Sequence, residues 1–312
     1  IVMHGVNVVY KVDPYIPLNE TWDSQLSLNA KDMDDLQRWG FNLVRLGVMW
    51  EAVERAPGKY DEEYLQKINQ MILQLGERGI YTMVDAHQDV FSRTMCGEGM
   101  PAFYSEGKFV DHSCDGFLLP LIFKQFGICN SIKDYGFHLD KNGWPLVEEC
   151  TKNFFVEYYP TAESMTAFDR LYKNVNGVQD KFIAYWDLVA KTFAGNPFIV
   201  GYDPINEPFM GDFISELKLL IPGWMDLHRL QPMYKKIYDV YQKYDTSKIM
   251  FYEPPQGPDT VPLLGGLVFP VGFSENPGGR DNTHNQMLND HTYCCQVSAS
   301  MCADKEPPLD QE

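Results

Sequence analysis

The N-terminal part of the chain alternates short apolar runs with amphipathic stretches, and few architectures accept that pattern. "IVMHGVNVVY" reads as a first strand. An acidic amphipathic stretch over 31–39 follows and stops at Gly40. "FNLVRLGVMW" is a second strand. "DEEYLQKINQMILQLGERG" is a helix, with Leu65, Ile68, Ile72 and Leu75 on one face and Gly79 at its end. "IYTMVDAH" is a third strand. Strands this evenly apolar are buried on both faces, as in parallel sheets. Further on, a helix over about 180–194 spaces Phe182, Trp186, Val189 and Phe193 along one stripe. "NPFIVGYDPINEP" is a fourth strand, about 228–244 a further helix, "KIMFYEP" a fifth strand and "LNDHTYC" a sixth. Repeated units of this length build an α/β fold, either a (β/α)8 TIM-type barrel or a doubly wound sheet. No glycine fingerprint follows the first strand, so a dinucleotide fold has no support.

The alternation breaks over about 91–178, which is rich in Gly, Pro, Cys and aromatics and shows no long clean period. This segment is expected to be a long insertion after strand three, over one face of a single barrel domain spanning 1–312. Four of the seven cysteines, Cys96, Cys114, Cys129 and Cys150, lie in it. Cys294, Cys295 and Cys302 lie near the end. None has zinc-site spacing, so disulfides in an oxidising compartment are expected, with one cysteine left over. Asn19-Glu20-Thr21 is a glycosylation acceptor triplet. A net charge of −17 without a basic cluster speaks against nucleic-acid binding. Ile1 opens inside an apolar run with no initiator Met and no signal peptide, so a trimmed start is expected. No stretch is long enough to span a bilayer.

In a barrel, chemistry sits at the C-terminal ends of the strands. That edge collects polar residues here: Arg45 late in strand two, Asp85, His87 and Asp89 ending strand three, and Asn206 and Glu207 ending strand four. Glu253 ends strand five, and His291 and Tyr293 end strand six. Arg45 also reads as a buried ion-pair partner, His87 as a satisfied core histidine and Asp89 as a structural hydrogen-bonder. A carboxylate at the end of a buried strand is costly to desolvate. A glycosidase repays that cost: it needs one carboxyl to protonate the leaving oxygen, and a second across the scissile bond.

"HGVNVVYKVDPY", "GFNLVRLGVMWEAVERAPGKYD", "MVDAHQDVFSR", "GYDPINEPF" and "FYEPP" together resemble glycoside hydrolase family 5, and within it the endoglycoceramidases. The resemblance covers almost the whole chain. It implies a retaining (β/α)8 glycosidase that cleaves between oligosaccharide and ceramide. Glu207 would be the acid/base and Asn206 the contact to the sugar 2-hydroxyl. Lys11, Asp85 and His87 match positions that bind the first sugar or brace the site. Arg45 matches the strand-two arginine beside the nucleophile, His291 and Tyr293 the strand-six pair, and Tyr172 an aromatic against the sugar. No metal or organic cofactor is implied.

The family's nucleophile is a glutamate ending a seventh strand. Here the sequence after Tyr293 has no strand pattern leading into Glu306, so a barrel cut after about strand six is expected, with no nucleophile assigned. Glu253 reads as site lining. Two apolar stretches, 116–128 and 262–273, suit contact with lipid, at a membrane or micelle surface, or packing beneath loops. Alternative readings are a glucosylceramide, steryl-glucoside or glucan β-glucosidase, and an inactive glycolipid-binding chain. The resemblance and the cysteines point to a secreted protein or one of the lysosomal or endosomal lumen.

Overall fold

A computed structural model of the chain describes residues 2–105, 114, 124–125, 127–255, 260–261, 267–268 and 272–291. Six strands form one parallel sheet in chain order: β1 Gly5–Val8, β2 Leu43–Gly47, β3 Tyr81–Asp85, β4 Ile199–Asp203, β5 Ile249–Tyr252 and β6 Gln286–Leu288. Each strand pairs in parallel with the one before it. Strands adjacent in sequence are thus adjacent in space, with α-helices between the successive strands from β1 to β5. This is the wall of a (β/α)8 barrel through its sixth strand.

The helices start where side chains satisfy their first N–H groups. Asn29 caps α1, Ala30–Arg38, accepting from the N–H of Lys31 and Asp32, while Asp32 reaches back to the Asn29 N–H. A short turn of helix, α2, spans Trp50–Val53. Asp61 caps α3, Glu62–Gly76, whose Leu65, Ile68, Ile72 and Leu75 are fully buried. Thr161 caps α4, Ala162–Tyr172. The expected stripe of α5, Val178–Phe193, is wholly buried. Its Trp186 donates Nε1–H to the Pro204 carbonyl at 3.0 Å and packs edge-on against Tyr202 and Tyr241. A further α-helix, α6, Gln231–Tyr244, continues from a π-helical turn over Asp226–Leu230.

Two sequence expectations need correction. The stretch 91–178 is not irregular throughout, because α4 and the start of α5 lie inside it. Disulfides Cys96–Cys150 and Cys114–Cys129 tie its remainder, as the cysteines suggested. The sixth strand also comes earlier than expected. It is Gln286–Leu288, so Asn289 and His291 lie in the loop beyond it. The amide of Asn19, the acceptor of the glycosylation triplet, donates to Gln74 at 3.0 Å. Tyr293, Cys294, Cys295, Cys302, Glu306 and most of the stretches 116–128 and 262–273 lie outside the described residues.

Candidate active site

Sheet register builds the centre of the site. Asp85 pairs across to Gly47 and to Asp203, so β2, β3 and β4 end at one level. Arg45 lies between them as a buried hub. Its Nη1 meets Asp85 at 2.9 Å, while Nε and Nη2 donate to one Asp203 oxygen at 3.0 and 2.7 Å. Nη2 also donates to Asn206 Oδ1 at 2.9 Å and Glu253 Oε1 at 3.1 Å. Burial works against the guanidinium charge, but Asp85, Asp203 and Glu253 outweigh it and hold Arg45 firmly protonated. Asp203, fully buried and beside Glu253, is pushed well above the carboxylate range, with Arg45 offsetting part of the shift.

Glu207 follows β4 on a tight turn and has φ +39°, a left-handed conformation uncommon for a side chain of this size. The turn is held on three sides. Glu253 Oε2 accepts the Glu207 N–H at 2.7 Å. The buried Gln88 amide donates to the carbonyls of Asn206 and Glu207 at 2.7 and 3.2 Å. The Tyr172 hydroxyl donates to the Phe209 carbonyl at 2.8 Å. His291 then spans the two glutamates, with Nδ1 2.8 Å from Glu207 and Nε2 3.1 Å from Glu253. Burial lowers its basicity, but the bonds to Glu207 and Glu253 prevail and push the imidazole up to about 10. In that protonated form both ring nitrogens are donors, one toward each glutamate.

A second polar cluster lies on loops at the rim. Asp89 and Glu98 exchange backbone hydrogen bonds, 2.8 and 3.2 Å long, so their carboxylates stand side by side. Glycine is required for this approach. A Cβ on Gly97 would come within 2.1 Å of the Asp89 carbonyl, and one on Gly99 within 2.2 Å of the His87 carbonyl. The Lys11 ammonium bonds to Asp89 and, at 2.9 Å, to Glu98. Burial opposes its charge, yet the two carboxylates raise its pKa above the ordinary lysine range. His87 links the clusters, with Nδ1 2.8 Å from Asp85 and Nε2 3.4 Å from Asp89. Burial opposes its protonation too, but those carboxylates push it up to about 9. Burial lifts the Glu98 carboxyl to about 7 despite Lys11.

The structure thus brings together Arg45, Asp85, His87, Asn206, Glu207, Glu253 and His291 in one network, with Lys11 and Asp89 at its rim. Asp85 is fully buried and acts as a brace. Tyr172 is 7% exposed, and its hydroxyl holds the Glu207 turn. Sequence reasoning missed four members: Asp203, Gln88, Glu98 and Asn289, whose amide donates to Asp203 and Glu253 at 2.9 and 3.2 Å. Asp203 and Gln88 were within the quoted motifs, and strand alternation would have singled out Asp203, which shares its face with Gly201. Two acid-and-histidine groups have a spacing that suits a cation: His87 with Asp89 and Glu98, and Asp203 with Glu253 and His291. In each a protein cation, Lys11 or Arg45, already bonds the carboxylates. The arrangement suits proton transfer by a carboxyl better than metal binding.

Residues 9–113 match the model of Cellulase (glycosyl hydrolase family 5). The chain is 34% identical over 291 residues to an endoglycoceramidase of Hydra vulgaris, a match covering 93% of this chain and 51% of the relative. It is 33% identical over 290 residues to that of Cyanea nozakii, covering 93% and 53%. The chain therefore spans about half the length of these curated relatives. In fold it resembles endo-glycoceramidase II from Rhodococcus sp., solved with a five-membered iminocyclitol. The TM-score is 0.65 and the identity 22%, over 94% of this chain and 56% of that one.

Proposed function

We propose that the chain, which matches glycosyl hydrolase family 5 over residues 9–113 and endoglycoceramidases over most of its length, carries the acid/base of a retaining glycosidase acting on glycosphingolipids. Glu207 protonates the oxygen between sugar and ceramide as that bond breaks and the sugar carbon passes to a second carboxylate, which is not assigned among the described residues. Glu207 then draws a proton from the water that displaces that carboxylate. Asn206 presents its amide to the sugar 2-hydroxyl while Arg45 fixes its carbonyl oxygen. Lys11, Asp89 and His87 grip the sugar at the rim.

One observation carries this reading. Glu207 stands on a strained turn beyond β4, and a brace of Glu253, Gln88 and Tyr172 holds that turn in place. Backbone strain kept by so many partners belongs to a functional carboxyl. Glu253 reads as a lining and bracing carboxylate of the site. One of its oxygens holds the Glu207 N–H and the other is shared by Arg45, Asn289 and His291.

We place the protein outside the cell or in the lysosomal or endosomal lumen, where the two disulfides persist. There it would meet its substrate at a membrane or micelle surface. No helix among the described residues is long and apolar enough to cross a membrane.

The test is turnover of a defined ganglioside by this chain and by Glu207→Gln, after a cooperative unfolding transition has been recorded for both. Intact oligosaccharide and ceramide from the native chain, and none from Glu207→Gln, support the reading. Free glucose as the product would favour a glucosidase. A folded chain that binds ganglioside without turnover would leave a binding role.

A further inference from the structure

The rim cluster is assembled from two loops with little regular structure of their own, yet its charges meet at bonding distance. Lys11 is on the loop after β1 and Glu98 on the loop after β3. Both loops lead to one buried side chain, Glu51 on α2. Glu51 Oε2 accepts from the Tyr15 hydroxyl at 3.0 Å, and Tyr15 is on the Lys11 loop. Glu51 Oε1 accepts the N–H of Gly99, the residue after Glu98, at 2.5 Å. Its backbone N–H in turn donates to the Gly99 carbonyl at 2.9 Å. The charged groups around it are Arg55, which lies over the Tyr15 ring, and Arg93.

A buried carboxylate is a poor choice for stability, since an apolar residue of similar size packs there at less cost. Burial pushes Glu51 up to about 7, against the pull of Gly99, Tyr15, Arg93 and Arg55. The folded chain therefore holds this proton more tightly than the unfolded chain, whose carboxyl titrates near 4.5. Stability from this group is present below about 4.5 and falls as pH rises towards about 7.

We propose that Glu51 is the positioning residue of the sugar-gripping Lys11–Glu98 pair, clamping through Tyr15 and Gly99 the two loops that carry it. This rests on reading Lys11 as a sugar contact. Stability and binding should then move in opposite directions. Glu51→Gln removes the buried charge, so at pH 8 it melts at or above the native temperature. It also loses one acceptor, so the loops drift and saccharide affinity drops.

The experiment is calorimetric titration of soluble ganglioside oligosaccharide into the native chain, Glu51→Gln, Lys11→Met and Glu54→Gln at pH 8, with a melting curve for each. Glu54, another buried carboxylate of the same segment, bonds Trp50, Tyr104 and the Gly58 N–H and serves as the structural control. Expected is a loss of roughly tenfold in affinity for Lys11→Met and Glu51→Gln, with Glu54→Gln changing melting alone. A second readout needs no ligand. The Lys11 ammonium, followed by NMR, should titrate at lower pH in Glu51→Gln than in the native chain. Native affinity retained by Glu51→Gln, or an unmoved Lys11 titration, overturns the proposal. If the native chain binds no saccharide, the functional reading fails, and the Lys11 titration still decides the role of Glu51.

Discussion

The two charged clusters at the top of this sheet are built by opposite means. The central one draws Arg45, Asp85 and Asp203 from three adjacent strands: parallel register sets Asp85 beside Asp203, and the Arg45 side chain, rooted two residues lower on β2, reaches both. The rim cluster draws Lys11, Asp89 and Glu98 from loops, and needs a buried carboxylate, glycine contacts and a disulfide to hold it. Side chains on strands inherit their geometry from the ladder, whereas loops must be pinned one contact at a time. The centre should therefore fail with the whole fold, and the rim should fail locally.

The largest effect should come from the centre. Arg45→Met leaves Asp85, Asp203 and Glu253 buried without their countercharge, and should cost about 3–5 kcal/mol in urea unfolding. A loss under ~1 kcal/mol would show that the strand ends do not depend on their central charge. Next is the rim. Replacing Cys96 and Cys150 together by Ser opens a link across 54 residues and should cost about 2–4 kcal/mol. Hydrogen exchange should quicken over 88–105 and stay unchanged in β4 and β5. Equal quickening in both places would dissolve the distinction.

A smaller effect separates the clusters by pH. His291 and His87 are raised to about 10 and about 9, from an ordinary 6.5. The stability they contribute is complete below about 6.5 and is lost as pH rises through those values. Melting temperature should fall over that alkaline range, and His291→Gln should remove the upper part of the fall. An imidazole signal for either residue titrating near 6.5 would contradict the pairing. Least of all should come from Lys235→Ala, which removes an exposed pair with Asp239 on α6 and should change stability by less than ~0.5 kcal/mol.

The sequence showed most clearly what depends on local pattern. Apolar runs marked β1 to β5, the helical stripe marked α5, and Asn206-Glu207 marked the catalytic turn. It hid what depends on distant partners. Nothing near Glu51 in sequence announces Tyr15 or Gly99, and Asn289 enters the site only because β6 ends one residue before it. The missed helix α4 is a different case. Thr161 as cap and Met165, Phe168, Leu171 and Tyr172 as a buried stripe were readable, but the cysteines and aromatics around them suggested an irregular stretch. The sixth strand is expected over "LNDHTYC", but the residues that pair with β5 are Gln286–Leu288, ahead of the polar Asn289 and Asp290.

The aromatic contacts give each cluster its own optical probe. Trp50 and Trp186 are the tryptophans whose rings are fully buried, and each is hydrogen-bonded to one side of the site. Trp50 bonds Glu54 and stacks on Tyr104, so its emission reports on the loop after β3. Trp186 bonds the Pro204 carbonyl, at the entry to the Glu207 turn, and reports on the strand ends. Replacing one of them by phenylalanine leaves the other as the buried chromophore. Loosening of the rim could then be followed by fluorescence separately from loss of the barrel.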